Sequence, residues 1–270
     1  MLLYRADPKD GVAWITGAST GMGRALALLL AGEGYTVVAT ARDEENLTTL
    51  AEEAAGLAGR VLSYPGDVRD EAEMAALVER IEAEAGTIAL AIFNAGSYFP
   101  TSGERLEVFN FTRTFDINLF GTLNGLVPVA DRMRDRGRGH IVVVASVASY
   151  FGWPATAAYG ASKAALHNLA EALKYDFDRL NIRIQVMNPG FVATPLTAKK
   201  AVHLPALMPA DRAAQRIAKA LRTGGFETTF PRRFTYLTKF LTILPQPLRY
   251  RYVRWATGWK KRPMLTDRRG

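Results

Sequence analysis

The sequence predicts a doubly wound α/β fold, with a parallel sheet carrying helices on both faces, as one domain over residues 1–230 followed by a basic C-terminal extension over 231–270. Three observations predict it. Short β-branched apolar runs alternate with longer segments rich in Ala, Glu and Leu. The short runs are apolar at consecutive positions, the mark of strands buried on both faces. The first run opens into a glycine-rich turn that leads directly into a helical segment.

Taken in order, residues 11–16 (G-V-A-W-I-T) read as the first strand, with the glycine turn and a helix over 22–31 behind it. A second strand at 35–40 (Y-T-V-V-A-T) is followed by a helix near 44–55. Further strands are predicted at 61–64, 90–93, 140–145 and 183–187, and a last one at 226–230. Helices at 71–85, 113–134 and 159–180 separate them. No internal repeat, low-complexity tract or long Pro/Gly/Ser linker interrupts the pattern. The length, 270 residues with 49% hydrophobic and 22% charged side chains, suits one α/β domain with an ample core.

Composition also excludes. The chain has no cysteine, so disulfides and thiolate metal sites are ruled out. Its three histidines, His140, His167 and His203, lie far apart without paired ligand spacing, which argues against zinc and leaves no metal site expected. Charges at Arg5, Asp7, Lys9 and Asp10 are unlike a secretory leader, and no run of about 18 apolar residues occurs, so the expected compartment is the cytoplasm. The net charge of +8 belongs to the tail: from residue 231 onward there are 11 Lys/Arg against Asp267 alone.

The first turn is Thr16-Gly17-Ala18-Ser19-Thr20-Gly21-Met22-Gly23. Glycines there permit a tight turn and close backbone approach to a pyrophosphate resting on the positive N-terminus of a helix. The spacing, G-x-x-x-G-x-G, differs from the general G-x-G-x-x-G fingerprint. The second strand ends Ala39-Thr40-Ala41-Arg42, with Ala41 where an acid would hold the ribose hydroxyls of NAD(H). Arg42 can instead pair with a 2′-phosphate, favouring NADP(H); the alternatives are a solvated Arg42 and an inward Asp43, which would favour NAD(H).

Tyr159 and Lys163 stand four apart at the start of a predicted helix and so share a face. A phenol of pKa ~10 is a poor proton donor near neutrality unless a neighbouring cation lowers that value. Ser146 follows the strand I-V-V-V-A and falls at its C-terminal end, where open α/β sheets bind ligands.

These segments, in this chain order, resemble the single-domain branch of the short-chain dehydrogenase/reductase family over residues 11–230, a Rossmann-type fold. The resemblance rests on T-G-x-x-x-G-x-G at 16–23, with Met22 in a slot more often Ile. It also rests on Asp67-Val68, on Asn94-Ala95-Gly96 with Phe93 where the family commonly has Asn, on Pro189-Gly190-Phe191-Val192-Ala193-Thr194, and on the Ala41-Arg42 pair of NADP-preferring members. Asn118, Ser146, Tyr159 and Lys163 match the catalytic tetrad. The resemblance implies carbonyl–alcohol interconversion with Asn118 supporting a water-linked relay to Lys163. It also implies an adenine site at Asp67 and Val68, Thr194 contacting the carboxamide, Val192 beside the nicotinamide, and dimers or tetramers through helices 113–134 and 159–180. The alternative is a silent NADP(H)-binding scaffold or redox sensor, which would need the turn and Arg42 but not the tetrad.

Aromatic residues flank the predicted site: Tyr98, Phe99, Tyr150, Phe151 and Trp153. They either wall a hydrophobic ketone or alcohol or pack the core. The segment 194–209 is short for a lid, which predicts an open mouth. In the tail, Phe234, Leu237, Phe240, Leu241 and Leu244 fall at helical spacing as one stripe, and Trp255 and Trp259 interleave with Arg and Lys. That pattern reads as an interfacial anchor on an anionic membrane face, a cap over the site, an oligomer contact or a solvated basic end. Nothing in it resembles a nucleic-acid module.

Overall fold

The computed structural model describes residues 3–198 and 206–262, apart from the Ala198 side chain. Seven strands form one sheet: β1 (Val12–Thr16), β2 (Thr36–Thr40), β3 (Arg60–Ser63), β4 (Ile88–Phe93), β5 (Gly139–Val144), β6 (Ile182–Pro189) and β7 (Glu227–Phe230). Their order is β3-β2-β1-β4-β5-β6-β7 and every pairing is parallel. The helices between them are α1 (Gly21–Gly32), α2 (Glu44–Glu53), α3 (Glu71–Glu84), α4 (Val108–Phe115), α5 (Gly121–Arg136), α6 (Ala157–Arg179), α7 (Pro195–Ala198) and α8 (Ala210–Thr223). Two more, α9 (Arg232–Ile243) and α10 (Gln246–Ala256), make up the described part of the extension.

The pleat sorts each strand's side chains into two cores. Ala13, Ile15, Val37, Ala39, Leu90 and Ile92 meet Leu26 and Leu30 of α1, Leu47 of α2 and Ile217 of α8 on one face. Val12, Trp14, Val38, Ala91 and Phe93 meet Met74 and Ile81 of α3, Val129 of α5 and Leu166 of α6 on the other. Burial on both faces explains why the strands read as continuous apolar runs, each buried Leu or Ile contributing about 1.5–3 kcal/mol. Aspartates start two helices where local sequence alone indicates: Asp43 accepts from Asn46 N at 3.0 Å, and Asp70 from Glu73 N at 2.9 Å.

The expected elements are present with ends shifted by a few residues, and three features differ. The helix expected at 113–134 begins at Val108 and is interrupted by a π-helical turn over Asp116–Phe120 before α5. Helix α8, whose apolar residues Ala213, Ile217 and Leu221 fall four apart, was not anticipated. The predicted tail stripe is divided: Leu241 is buried and Phe234 half-buried, while Leu237 and Phe240 are exposed and Thr235 and Thr238 take the inner positions. Thr235 Oγ1 donates to Pro231 O at 3.1 Å and Thr238 Oγ1 to Thr235 O at 2.7 Å. With hydroxyls satisfied by their own helix, the threonines present methyl groups inward.

Candidate active site

The strand order switches sides between β1 and β4, and the turns leaving these strands are bound to each other. Asn94 Nδ2 donates to Gly17 O at 3.0 Å and Thr16 O at 3.2 Å, and the backbone N–H groups of Asn94 and Ala95 both donate to Thr16 Oγ1 at 3.2 Å. Gly17 has φ +67, and a Cβ there would lie 2.7 Å from Ala95 Cα, so both conformation and space demand glycine. Thr194 lies against Gly21 across the crevice. Thr20 starts α1 without a side-chain cap. The first-turn N–H groups are thus left to an external acceptor, and the crevice suits a dinucleotide pyrophosphate.

Beside the crevice, Arg42 is exposed at the end of β2. Asp43 does not turn inward; its carboxylate caps α2. The Asp67 carboxylate is gripped by Arg69 at 2.5–3.1 Å, which holds its pKa below the ordinary range, with Arg42 adding a weaker pull. Val68 is buried, its carbonyl accepting from Asn124 Nδ2 at 2.9 Å.

Asn118 is fully buried in the π-helical turn. Its Oδ1 accepts from Ser97 N at 2.7 Å, and Nδ2 donates to Ser97 O at 3.1 Å and Ser162 Oγ at 2.9 Å. A Cβ on Gly96 would come within 3.3 Å of Lys163 Nζ and 3.4 Å of Asn118 Oδ1, so the absent side chain leaves both polar groups room at one point. Lys163 is buried and donates to Val144 O at 2.8 Å. Burial brings its pKa from 10.5 down to about 8.

Ser146 caps a short turn after β5, its Oγ accepting from Ala148 N at 3.1 Å. Its backbone N–H donates to Asn188 Oδ1 at 3.1 Å. Asn188, which the sequence reading passed over although it precedes Pro189-Gly190, also donates to Glu227 Oε1 at 2.8 Å. Glu227 accepts from the Tyr150 hydroxyl and from Lys239 of α9. Burial pushes its carboxyl up, but these hydrogen bonds and the ammonium outweigh that and hold it below the ordinary range.

One expectation needs correction. Lys163 does not lower the Tyr159 phenol here: burial raises it, a hydrogen bond with Ser146 works the other way, and Tyr98 raises it slightly. The Lys163 nitrogen lies 5.9 Å from the Tyr159 ring centre and is occupied with Val144 O.

A family model described as short chain dehydrogenase matches residues 11–204. The chain belongs to the short-chain dehydrogenase/reductase family. It is 35% identical over 243 residues to an uncharacterized oxidoreductase of Myxococcus xanthus, covering 90% of this chain and 96% of the relative. It is also 35% identical over 188 residues to a 3-oxoacyl-[acyl-carrier-protein] reductase of Thermotoga maritima, covering 70% and 76%. Among solved structures, levodione reductase superposes with a TM-score of 0.76 at 27% identity, over 84% of this chain and 98% of that one. Membership makes the protein an oxidoreductase using NAD(P)(H).

In this family member the tail helps to build a cavity next to the site. Its volume is about 450 Å³ and it lies between Thr101–Gly103, the segment 151–155 and α10, with Phe151, Trp153, Tyr250, Val253 and Trp259 among its walls. It stops short of Tyr159, reaching Ala155 and Ala157 just before it. Tyr98 bridges the two, donating to Ala155 O at 3.1 Å and packing edge-on against Tyr159 at 5.5 Å. Of the other flanking aromatics, Phe151 stacks on Trp153 at 4.9 Å, whereas Phe99 lies under the Arg113 guanidinium and Tyr150 turns to Glu227. Residues 199–205, within the expected lid segment, lie outside the described residues. The α10 wall residues were missed by sequence; their signal was the helical restart after Pro245-Gln246-Pro247.

Proposed function

We propose that the protein interconverts an apolar ketone and its secondary alcohol with NADP(H). One observation carries this reading: Ser146, Tyr159, Lys163 and Asn118 all border the C-terminal ends of β4 and β5, beside the glycine turn where the strand order switches sides. A dinucleotide held in this crevice would supply or accept the hydride. In reduction the Tyr159 hydroxyl gives its proton to the substrate oxygen, and Ser146 Oγ orients that oxygen. Lys163, with a pKa near 8, exchanges protons close to neutrality and lies beside Asn118, the pair through which the phenol is resupplied.

Pyrophosphate binding falls to Gly17, Ser19, Thr20, Gly21, Met22 and Gly23, with Asp67 and Val68 on the adenine side and Asn94, Ala95 and Gly96 beneath. Pro189, Gly190, Val192 and Thr194 take the nicotinamide side. The choice of NADP(H) is supported by exposed Arg42 and by Asp43 being occupied as a cap. An apolar substrate is supported by the aromatic cavity, and the oxo group named in the Thermotoga relative's substrate suits the same chemistry. Self-association through the long helices is supported by exposed Val108, Phe109, Phe120 and Val127, and by Tyr175 on α6.

The test is Tyr159→Phe assayed over ketones of increasing chain length. Turnover falls by roughly 100-fold or more while NADPH affinity is kept. Wild-type protein that binds NADPH yet turns over none of these ketones would instead favour the silent scaffold.

A further inference from the structure

The described extension contains an unusual helix. Turning 100° per residue, α9 points Phe234, Thr235, Thr238 and Leu241 inward, and Tyr236, Leu237, Phe240 and Ile243 to the opposite side. The inward side is anchored: the Phe234 ring packs against Phe191 and Trp153, and Lys239 binds Glu227. The outward side is apolar and open, with Phe240 57% and Ile243 79% exposed. After Pro245, α10 adds exposed Leu248 and Trp255, the latter 77% exposed. Single exposed apolar residues need no explanation, but two successive helices carrying them do.

Charge identifies what covers this surface. Residues 231–262 hold nine Lys/Arg and no acid. Among the described residues only Lys239 of these nine makes an ion pair. Arg232, Arg233, Arg251 and Arg254 are exposed on the same two helices. A second copy docking face to face would bring two unpaired basic clusters together. A purely anionic partner would leave Leu237, Phe240 and Ile243 in water. Exposed rings and aliphatic chains among arginines match the headgroup region of a bilayer rich in acidic phospholipid. No helix among the described residues is long and apolar enough to cross a membrane, so α9 and α10 would lie in the interface plane.

We infer that α9 and α10 dock the enzyme on an acidic phospholipid surface through Tyr236, Leu237, Phe240, Ile243, Leu248 and Trp255. Tyr250 and Arg254 of α10 also line the cavity beside the active site. Docking therefore brings the cavity to the bilayer surface, where apolar ketones accumulate.

The experiment is flotation of the full-length protein with vesicles of phosphatidylglycerol and phosphatidylcholine, and with phosphatidylcholine alone. Leu237→Gln/Phe240→Gln/Ile243→Gln and Arg232→Gln/Arg233→Gln/Arg251→Gln are run beside wild type; none of these residues lines the cavity or the crevice. Wild type floats only with the acidic vesicles, and each triple variant lowers its partition coefficient by roughly tenfold. High salt releases it. Thermal unfolding and turnover of a water-soluble ketone stay at wild-type values in both variants.

Equal flotation of all three proteins, or none by wild type, overturns the docking surface. So does a wild-type dimer in sedimentation that the apolar triple variant dissociates, which assigns the face to a second copy. Flotation is read without cofactor or substrate, so a failed oxidoreductase assay leaves this inference standing, and the reverse holds.

Discussion

Replacing Lys163 with Met removes a buried charge from the site and should strengthen the folded state near neutrality. Burial takes the ammonium from 10.5 to about 8, so folding with Lys163 protonated at pH 7 costs about 3 kcal/mol at ~1.36 kcal/mol per unit. The hydrogen bond from Nζ to Val144 O, at 2.8 Å, returns about 1.5–2 kcal/mol for a charged donor. Met fills a similar volume and carries neither contribution. The variant is therefore more stable at pH 7 by about 1 kcal/mol, raising Tm by about 2–4 °C. The pH dependence is the sharper readout. Above about pH 8 the folded lysine has lost its proton, whereas the unfolded chain holds one until about 10.5. Across that window the unfolded state binds more protons, so wild-type stability rises with pH relative to the variant. Between pH 7 and 9.5 wild type gains about 2 kcal/mol, enough to erase or reverse the variant's lead. Urea denaturation of cofactor-free protein at both pH values measures this. A stability gap that stays constant between them, or a wild type already more stable at pH 7 by over ~1 kcal/mol, refutes the reasoning that the buried ammonium is a net cost.

Other consequences follow from neighbouring groups. Arg42→Ala weakens NADPH binding by roughly 10- to 100-fold and leaves NADH nearly unchanged, as measured by cofactor fluorescence titration; equal losses for both would contradict pairing with a 2′-phosphate. Glu227→Gln destabilises by about 1–3 kcal/mol at pH 7, because Lys239, Tyr150 and Asn188 lose a charged acceptor. The Glu227 carboxyl is held below its ordinary 4.5, so its stabilisation is complete above that value and disappears as pH falls through the depressed one. Denaturation curves of wild type and variant should converge in acid; a gap that persists there shows that the carboxylate is not the stabilising form.

Much of the framework was legible because it is local. Consecutive burial wrote itself into the apolar runs of β1, β4 and β5, and Asp43 and Asp70 stand as caps at the starts of α2 and α3. The turn at Gly17 demands glycine from its own backbone conformation, and Tyr159 and Lys163 are neighbours through helical spacing alone. The π-helical turn at Asn118 was not legible, since D-I-N-L-F carries no breaker, and its side-chain partners Ser97 and Ser162 come from distant segments. Nor was Asn188, whose importance lies in touching Ser146 and Glu227 from a third strand.

The tail divides the two kinds of information most clearly. Its sequence determined one apolar stripe at helical spacing, a positive charge and an abundance of apolar side chains, all properties of neighbouring residues. Which side of α9 faces the protein was decided by the surface it meets. Phe191, Trp153 and Glu227 receive Phe234 and Lys239, and the rotation this imposes carries Thr235 and Thr238 inward and Phe240 and Ile243 outward. An apolar arc about half the circumference wide is compatible with several rotations of the helix, so the choice falls to long-range contacts.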